Sequence, residues 1–217
     1  MFVFQMGKVA SASITEAVGG RQVHWASPRK ILDDFRRGYC RHHFNSILMI
    51  LSHPRRLITS VREPVARNLS SYMQNSERNG WSRNFEGFLR EFPHDEPLKW
   101  FDEEFHPFTG VDVFATPFPH DSGWQIIDGR ILILKAETSP RSKEEGLSEF
   151  LRQPVKLPAV NVGLEKTYSE DYARLQANPI PDDYLTSMYD SKYARHFYTE
   201  TEIDTFRERW SRGSLAC

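Results

Sequence analysis

Lys8 follows a single glycine, Gly7, and is itself followed at short range by the hydroxyls of Ser11 and Ser13. A short apolar run, Phe2-Val3-Phe4, precedes this group, and an amphipathic segment from Ile14 to Val18 comes after it. That order predicts a buried parallel strand, a tight loop and a helix start. Backbone N–H groups in such a loop point at one place, the helix dipole adds partial positive charge, and the Lys8 ammonium adds a full one. The chemistry is oxyanion binding, with a phosphate or a sulfate as the guest. Besides Gly7 and Lys8, the loop residues Val9, Ala10, Ser11, Ala12 and Ser13 are its candidate ligands.

A second donor cluster follows Leu57-Ile58-Thr59-Ser60-Val61, which reads as a strand. Arg62 leaves the end of that strand, and Pro64 suits a first helical position. Arg67 and Ser70 then lie three residues apart on one helix face. Three donors thus converge where a second anion could sit. In an α/β sheet, ligands bind at the carboxyl ends of the strands. His24, at the end of a predicted strand Gln22-Val23-His24-Trp25, is therefore delivered beside the Lys8 loop. Its imidazole, with an ordinary pKa near 6.5, suits a general base. Glu137, leaving the strand Arg130 to Lys135, is the second choice, and Asp102, Glu103 and Glu104 read as a solvated helix face.

Spacing narrows the guest. A nucleoside-triphosphate loop needs four residues between its glycines and then Lys-Ser/Thr, whereas Lys8 directly follows the only glycine. No Gly-x-Gly-x-x-Gly for a dinucleotide occurs either. Cys40-Arg41-His42-His43 has no second ligand cluster to complete a metal site, so it reads as the basic end of a helix and no metal is expected.

The elements that must carry these residues follow from periodicity. A helix is expected from Arg29 to His43 with Ile31, Leu32, Phe35 and Tyr39 inward, and another over Ser46 to Ser52. Short amphipathic helices are expected at 85–89 and 98–105, with Pro93 and Pro97 as breaks. Extended segments are expected at 110–114 and 124–127, and helices at 143–152, 168–177, 181–195 and 200–210. The expectation is a single domain, 1–217, of α/β class, with a mostly parallel central sheet in three layers.

Composition agrees with a globular chain, at 217 residues, 39% hydrophobic and 26% charged. Two cysteines make no disulfide framework, and neither a secretory leader nor a membrane-spanning run is evident, so the expectation is a cytoplasmic protein with no membrane span. The net charge of −1 conceals an asymmetry: residues 1–90 carry 14 Lys and Arg against 6 Asp and Glu, and the remainder 14 against 23. The basic half holds the anion loop, and its arginines are spread over several elements rather than forming a nucleic-acid face. An anionic cofactor fits better than nucleic acid.

Lys8-Val9-Ala10-Ser11-Ala12-Ser13 resembles the phosphosulfate-binding loop of the sulfotransferases, written Lys-x-Gly-Ser/Thr-x-Ser/Thr, with Ala10 where that pattern has glycine. Arg62 followed eight positions later by Ser70 resembles the same family's 3′-phosphate-binding segment. Four further stretches resemble a bacterial branch of sulfotransferase-like proteins labelled putative capsular polysaccharide synthesis proteins. They are Trp100-Phe101-Asp102-Glu103-Glu104, Gly110-Val111-Asp112-Val113-Phe114, Asn161-Val162-Gly163 and Ser191 to Thr199. The resemblance implies a P-loop-like sulfotransferase fold and 3′-phosphoadenosine 5′-phosphosulfate (PAPS) as sulfuryl donor, with a hydroxyl acceptor, a saccharide being the expected one, and no metal. It implies that Lys8 neutralises the leaving phosphate, that Arg62, Arg67 and Ser70 hold the 3′-phosphate, and that Arg195 closes over the nucleotide. Two other readings stay open: a P-loop-type kinase, and a non-catalytic nucleotide-binding module of a polysaccharide assembly complex.

Overall fold

In chain order the strands are β1 (Phe2–Phe4), β2 (Arg21–Val23), β3 (Leu57–Val61), β4 (Trp124–Ile127) and β5 (Ile131–Lys135). The first helices are α1 (Ala12–Ala17), α2 (Pro28–Arg36), α3 (Phe44–Ser52), α4 (Pro64–Asn79), α5 (Phe85–Glu91) and α6 (Glu96–Trp100). A π-helical turn, Phe101–Phe105, runs into α7 (His106–Thr109). The last helices are α8 (Pro140–Leu151), α9 (Ser169–Gln176), α10 (Asp182–Tyr189), α11 (Lys192–Phe197) and α12 (Glu200–Ser211). The computed structural model describes residues 1–36, 43–158 and 169–213. Tyr39, Cys40-Arg41-His42 and Asn161-Val162-Gly163 therefore lie outside the described residues. No described helix is long and apolar enough to cross a membrane.

The described residues of Met1–Arg62 and Lys99–Ala159 form one compact unit, and those of Glu63–Leu98 and Val160–Cys217 a second. The first contains a five-stranded sheet in the order β2-β1-β3-β5-β4. β2, β1, β3 and β5 run parallel, and β4 is an antiparallel edge strand against β5. β3 and β5 are buried at every position, as continuous apolar runs covered on both faces must be. On one face Val3, Ile58, Leu132 and Leu134 pack with Ile14 of α1 and with Leu147 and Phe150 of α8. On the other, the Phe4 ring meets Trp100, Phe105 and Phe108 at centroid distances of 5.0, 5.6 and 5.6 Å. The mixed α/β class and the mostly parallel sheet thus match the sequence expectation.

The second unit is helical. α4 opens with Pro64 at its first position, as expected, behind Glu63 as N-cap. The Glu63 carboxylate is buried and takes four donors. Its Oε1 accepts from the Val65 N–H at 2.8 Å and the Tyr189 hydroxyl at 2.5 Å, and its Oε2 from the Ala66 N–H at 2.7 Å and the Trp210 indole at 3.3 Å. Burial pushes the Tyr189 phenol far up, and the Glu63 carboxylate and the Tyr184 neighbour add to it.

Several local expectations are corrected. Leu32 and Phe35 are 57% and 39% exposed rather than inward; Ile31 is buried as expected, and Phe35 stacks on His43 instead. Val111 to Phe114 is a turn, not an extended segment. Gly110 ends α7 in the left-handed region (φ 69°), and the Asp112 carboxylate accepts from the Phe114 N–H two residues on. Pro97 lies within the first turn of α6, where a missing N–H costs nothing, and does not break it. The stretch 181–195 is two helices, because the Ser191 hydroxyl accepts from the Ala194 N–H and restarts the chain as α11.

Candidate functional site

At the carboxyl end of β1 the chain stays in register for one more residue, with the Gln5 N–H donating to the Val23 carbonyl at 3.0 Å. Then it turns tightly. Buried Met6 and Val9 anchor the turn, while Lys8 and Ala10 take left-handed φ values of 72° and 57°. That region costs a non-glycine residue about 1–2 kcal/mol, which accounts for the glycine that the resembled loop pattern carries where this chain has Ala10. α1, which follows, has only six residues, and the side chain of its N-cap, Ser11, does not cap it. The helix dipole invoked from the sequence therefore adds little here, and the donors on offer are those of the loop and its side chains.

Ser11 is buried, and its hydroxyl oxygen accepts from two amides, Nε2 of Gln5 and Nε2 of Gln22, the latter at 3.1 Å. A hydroxyl has two acceptor lone pairs and one proton. With both lone pairs engaged, the Ser11 proton points away from the two amides and is left to be donated. Donation to a phosphate or sulfate oxygen is the chemistry this polarisation favours. Ser13 lies half-buried in the first turn of α1.

Two further candidates are tied to this loop by hydrogen bonds. The Arg62 guanidinium, leaving β3, donates to the Lys8 carbonyl at 3.0 Å. His24, one residue beyond β2, bonds through Nδ1 to the Gln5 carbonyl at 3.0 Å. A carbonyl only accepts, so Nδ1 carries the proton and the neutral ring keeps its lone pair on Nε2. The structure thus brings Lys8, Ser11, His24 and Arg62 to the carboxyl ends of three adjacent strands. Glu137 lies on the exposed turn after β5, two strands from β1, beside the Lys143 ammonium. Burial holds Lys143 below the ordinary lysine range, and the Glu137 charge partly offsets it.

Trp100 and Glu104 hold His24 and the residues after it in place. The Trp100 indole donates to the His24 carbonyl at 2.9 Å. The Glu104 carboxylate accepts from the N–H groups of Ala26 and Ser27 at 2.8 and 2.9 Å. Glu104 is 8% exposed, which corrects the expectation of a solvated face. The spacing is the reason: Glu104 stands three residues after Phe101 and next to Phe105, so it shares their inward face. Gln5 and Gln22 carried no sequence signal, because their role depends on the register of β1 with β2.

Arg67, Ser70 and Arg195 belong to the second unit. Arg67 is buried and pairs with Glu96 at 2.5 Å, an acid on α6 rather than on its own helix, and donates to Asn68 Oδ1 at 3.0 Å. The Asn68 amide continues to the His94 carbonyl and the Tyr184 hydroxyl, at 2.9 and 3.1 Å. Burial pushes the Tyr184 phenol up and holds His94 below the ordinary histidine range. Ser70 is buried one turn along α4 from Arg67. Arg195 is exposed on α11 and pairs with Asp190 at 3.0 Å; Asp190 also takes Arg207 at 3.2 Å, and the two guanidiniums hold its carboxyl low.

Residues 85–199, just over half of the chain, match the family described as putative capsular polysaccharide synthesis protein. The chain belongs to that family. No curated protein and no solved structure matches it. All four stretches noted above, at 100–104, 110–114, 161–163 and 191–199, fall inside the matched residues, whereas the Lys8 loop and Arg62 precede them.

Proposed function

We propose that this chain transfers a sulfuryl group from PAPS to a saccharide hydroxyl. The observation that carries the reading is the hydrogen bond from Arg62 to the Lys8 carbonyl, together with the bond from His24 to Gln5. These bonds tie the two candidate oxyanion segments and a candidate base together at one end of the sheet. The resemblance of the Lys8 loop to the phosphosulfate loop of sulfotransferases supplies the donor, and the family description, with its capsular polysaccharide, supplies the acceptor class.

In this reading the loop and the Ser11 proton hold the 5′-phosphosulfate, with Ser13 beside them, and Arg62 holds the 3′-phosphate. The acceptor oxygen attacks sulfur as His24 Nε2 takes its proton. The bond from sulfur to the phosphate oxygen breaks, the electron pair stays on that oxygen, and the Lys8 ammonium neutralises it. The products are a sulfated saccharide and adenosine 3′,5′-bisphosphate. Little covalent chemistry falls to the protein, so positioning and charge stabilisation carry the rate. The test is transfer of labelled sulfate from PAPS to a panel of saccharides by wild type and Lys8→Ala. The variant should lose about two to four orders of magnitude in kcat, the scale of a transition-state charge stabiliser. Transfer at the wild-type rate would overturn the role, and bisphosphate binding with no transfer to any acceptor would favour the non-catalytic module.

A further inference from the structure

The opposite end of the same sheet carries a second feature. Leu57 and Ile131 are the first residues of the parallel pair β3 and β5, and a cleft of about 240 Å³ opens beside them. The five residues of β3 separate it from Arg62 by about 17 Å. Its walls include His53, Arg55, Phe108 and Arg130. The His53 and Phe108 rings stack almost parallel, 8° apart with centroids at 6.0 Å, and His53 holds a left-handed φ of 39° at the end of α3. Arg55 and Arg130 are exposed, and neither guanidinium makes an ion pair among the described residues.

We infer that this cleft binds a single sugar ring bearing an oxyanion, a carboxylate or a sulfate. Pockets that enclose drug-sized ligands hold about 300–1,000 Å³, so this one suits one ring rather than a nucleotide. The C–H face of a pyranose lies against the aromatic pair, and its hydroxyls stay in water at the open side. Two guanidiniums supply the planar donor geometry that oxyanions take in pairs. The assignment does not depend on sulfate transfer at the Lys8 loop.

The experiment is a titration followed by amide chemical shifts, using methyl β-glucuronide, glucose 6-sulfate, methyl β-glucoside and benzoate as probes. At least one of the two anionic sugars should bind and shift amides at 53–57, 106–109 and 129–131. The neutral glucoside should bind about tenfold more weakly. Arg55→Ala and Arg130→Ala, at exposed positions where folding is not at stake, should each weaken the anionic sugar about three- to tenfold, the scale of a solvent-screened charged hydrogen bond. Lys8→Ala should leave that affinity unchanged. The stronger of the two anionic sugars identifies the oxyanion. Shifts confined to the Lys8 loop, no binding of either anionic sugar, equal affinity for the glucoside, or equal affinity for benzoate would each overturn the assignment.

Discussion

Replacing Glu63 by alanine removes the acceptor of four donors at once. Two are the Val65 and Ala66 N–H groups at the start of α4, and losing such a cap costs about 0.5–2 kcal/mol. The other two, the Tyr189 hydroxyl and the Trp210 indole, belong to side chains buried to 1% and 0%. Each buried donor left unmet costs about 1–3 kcal/mol. The expected destabilisation is therefore about 2.5–8 kcal/mol, a large share of the roughly 5–15 kcal/mol that holds a domain folded. Urea unfolding followed by tryptophan fluorescence reads it as a fall in midpoint at constant slope. The decisive comparison is Tyr189→Phe in both backgrounds. In the wild type it should cost about 1 kcal/mol or more, and in Glu63→Ala nothing, because the hydroxyl it removes has already lost its partner. A Glu63→Ala cost below 1 kcal/mol, or an equal Tyr189→Phe cost in the two backgrounds, would refute the reasoning.

His24→Ala should lower kcat by about two to four orders of magnitude with nucleotide affinity intact; retained activity in His24→Ala together with loss in Glu137→Gln would make the carboxylate the base. Folding keeps His94 neutral below the ordinary histidine pKa, so the unfolded chain binds the extra proton first. Stability of the second unit should thus be full above about pH 6.5 and fall as the pH drops below it, and His94→Gln should flatten that part of the thermal midpoint profile; an unchanged slope would count against it. Gly123 has a φ of 67°, and a Cβ there would stand 1.9 Å from Thr138 Oγ1. Gly123→Ala should destabilise by about 2–4 kcal/mol through the left-handed backbone and overpacking; a midpoint within error of wild type would show that the turn can move aside.

What the sequence made legible depends on how local the physics is. Leu57–Val61 and Ile131–Lys135 announce themselves because a strand buried on both faces must be apolar throughout. Pro64 likewise marks the start of α4, since its ring is compatible with the first helical position. Lys8, His24 and Arg62 could be assigned to one sheet edge because parallel strands place all their carboxyl ends together. Their partners were not legible. The carbonyls of Gln5 and Lys8 carry no side-chain signature, and the Ser11 hydroxyl is polarised by amides from two strands. Glu104 read as a surface acid and Glu63 carried no signal, since only the N–H groups of Ala26 and Ser27 and the packing of α10 and α12 make them acceptors in a dry interior.

The central claim is that the Lys8 loop and Arg62 bind a nucleotide bearing separate 5′ and 3′ anions, and calorimetry tests it most directly. Wild type should bind adenosine 3′,5′-bisphosphate far more tightly than ATP. Arg62→Ala should weaken the bisphosphate by about 1.5–3 kcal/mol, the range of a charged hydrogen bond, and leave adenosine 5′-phosphosulfate nearly unchanged. ATP bound as tightly as the bisphosphate, or equal losses for the two adenosine ligands in Arg62→Ala, would contradict it.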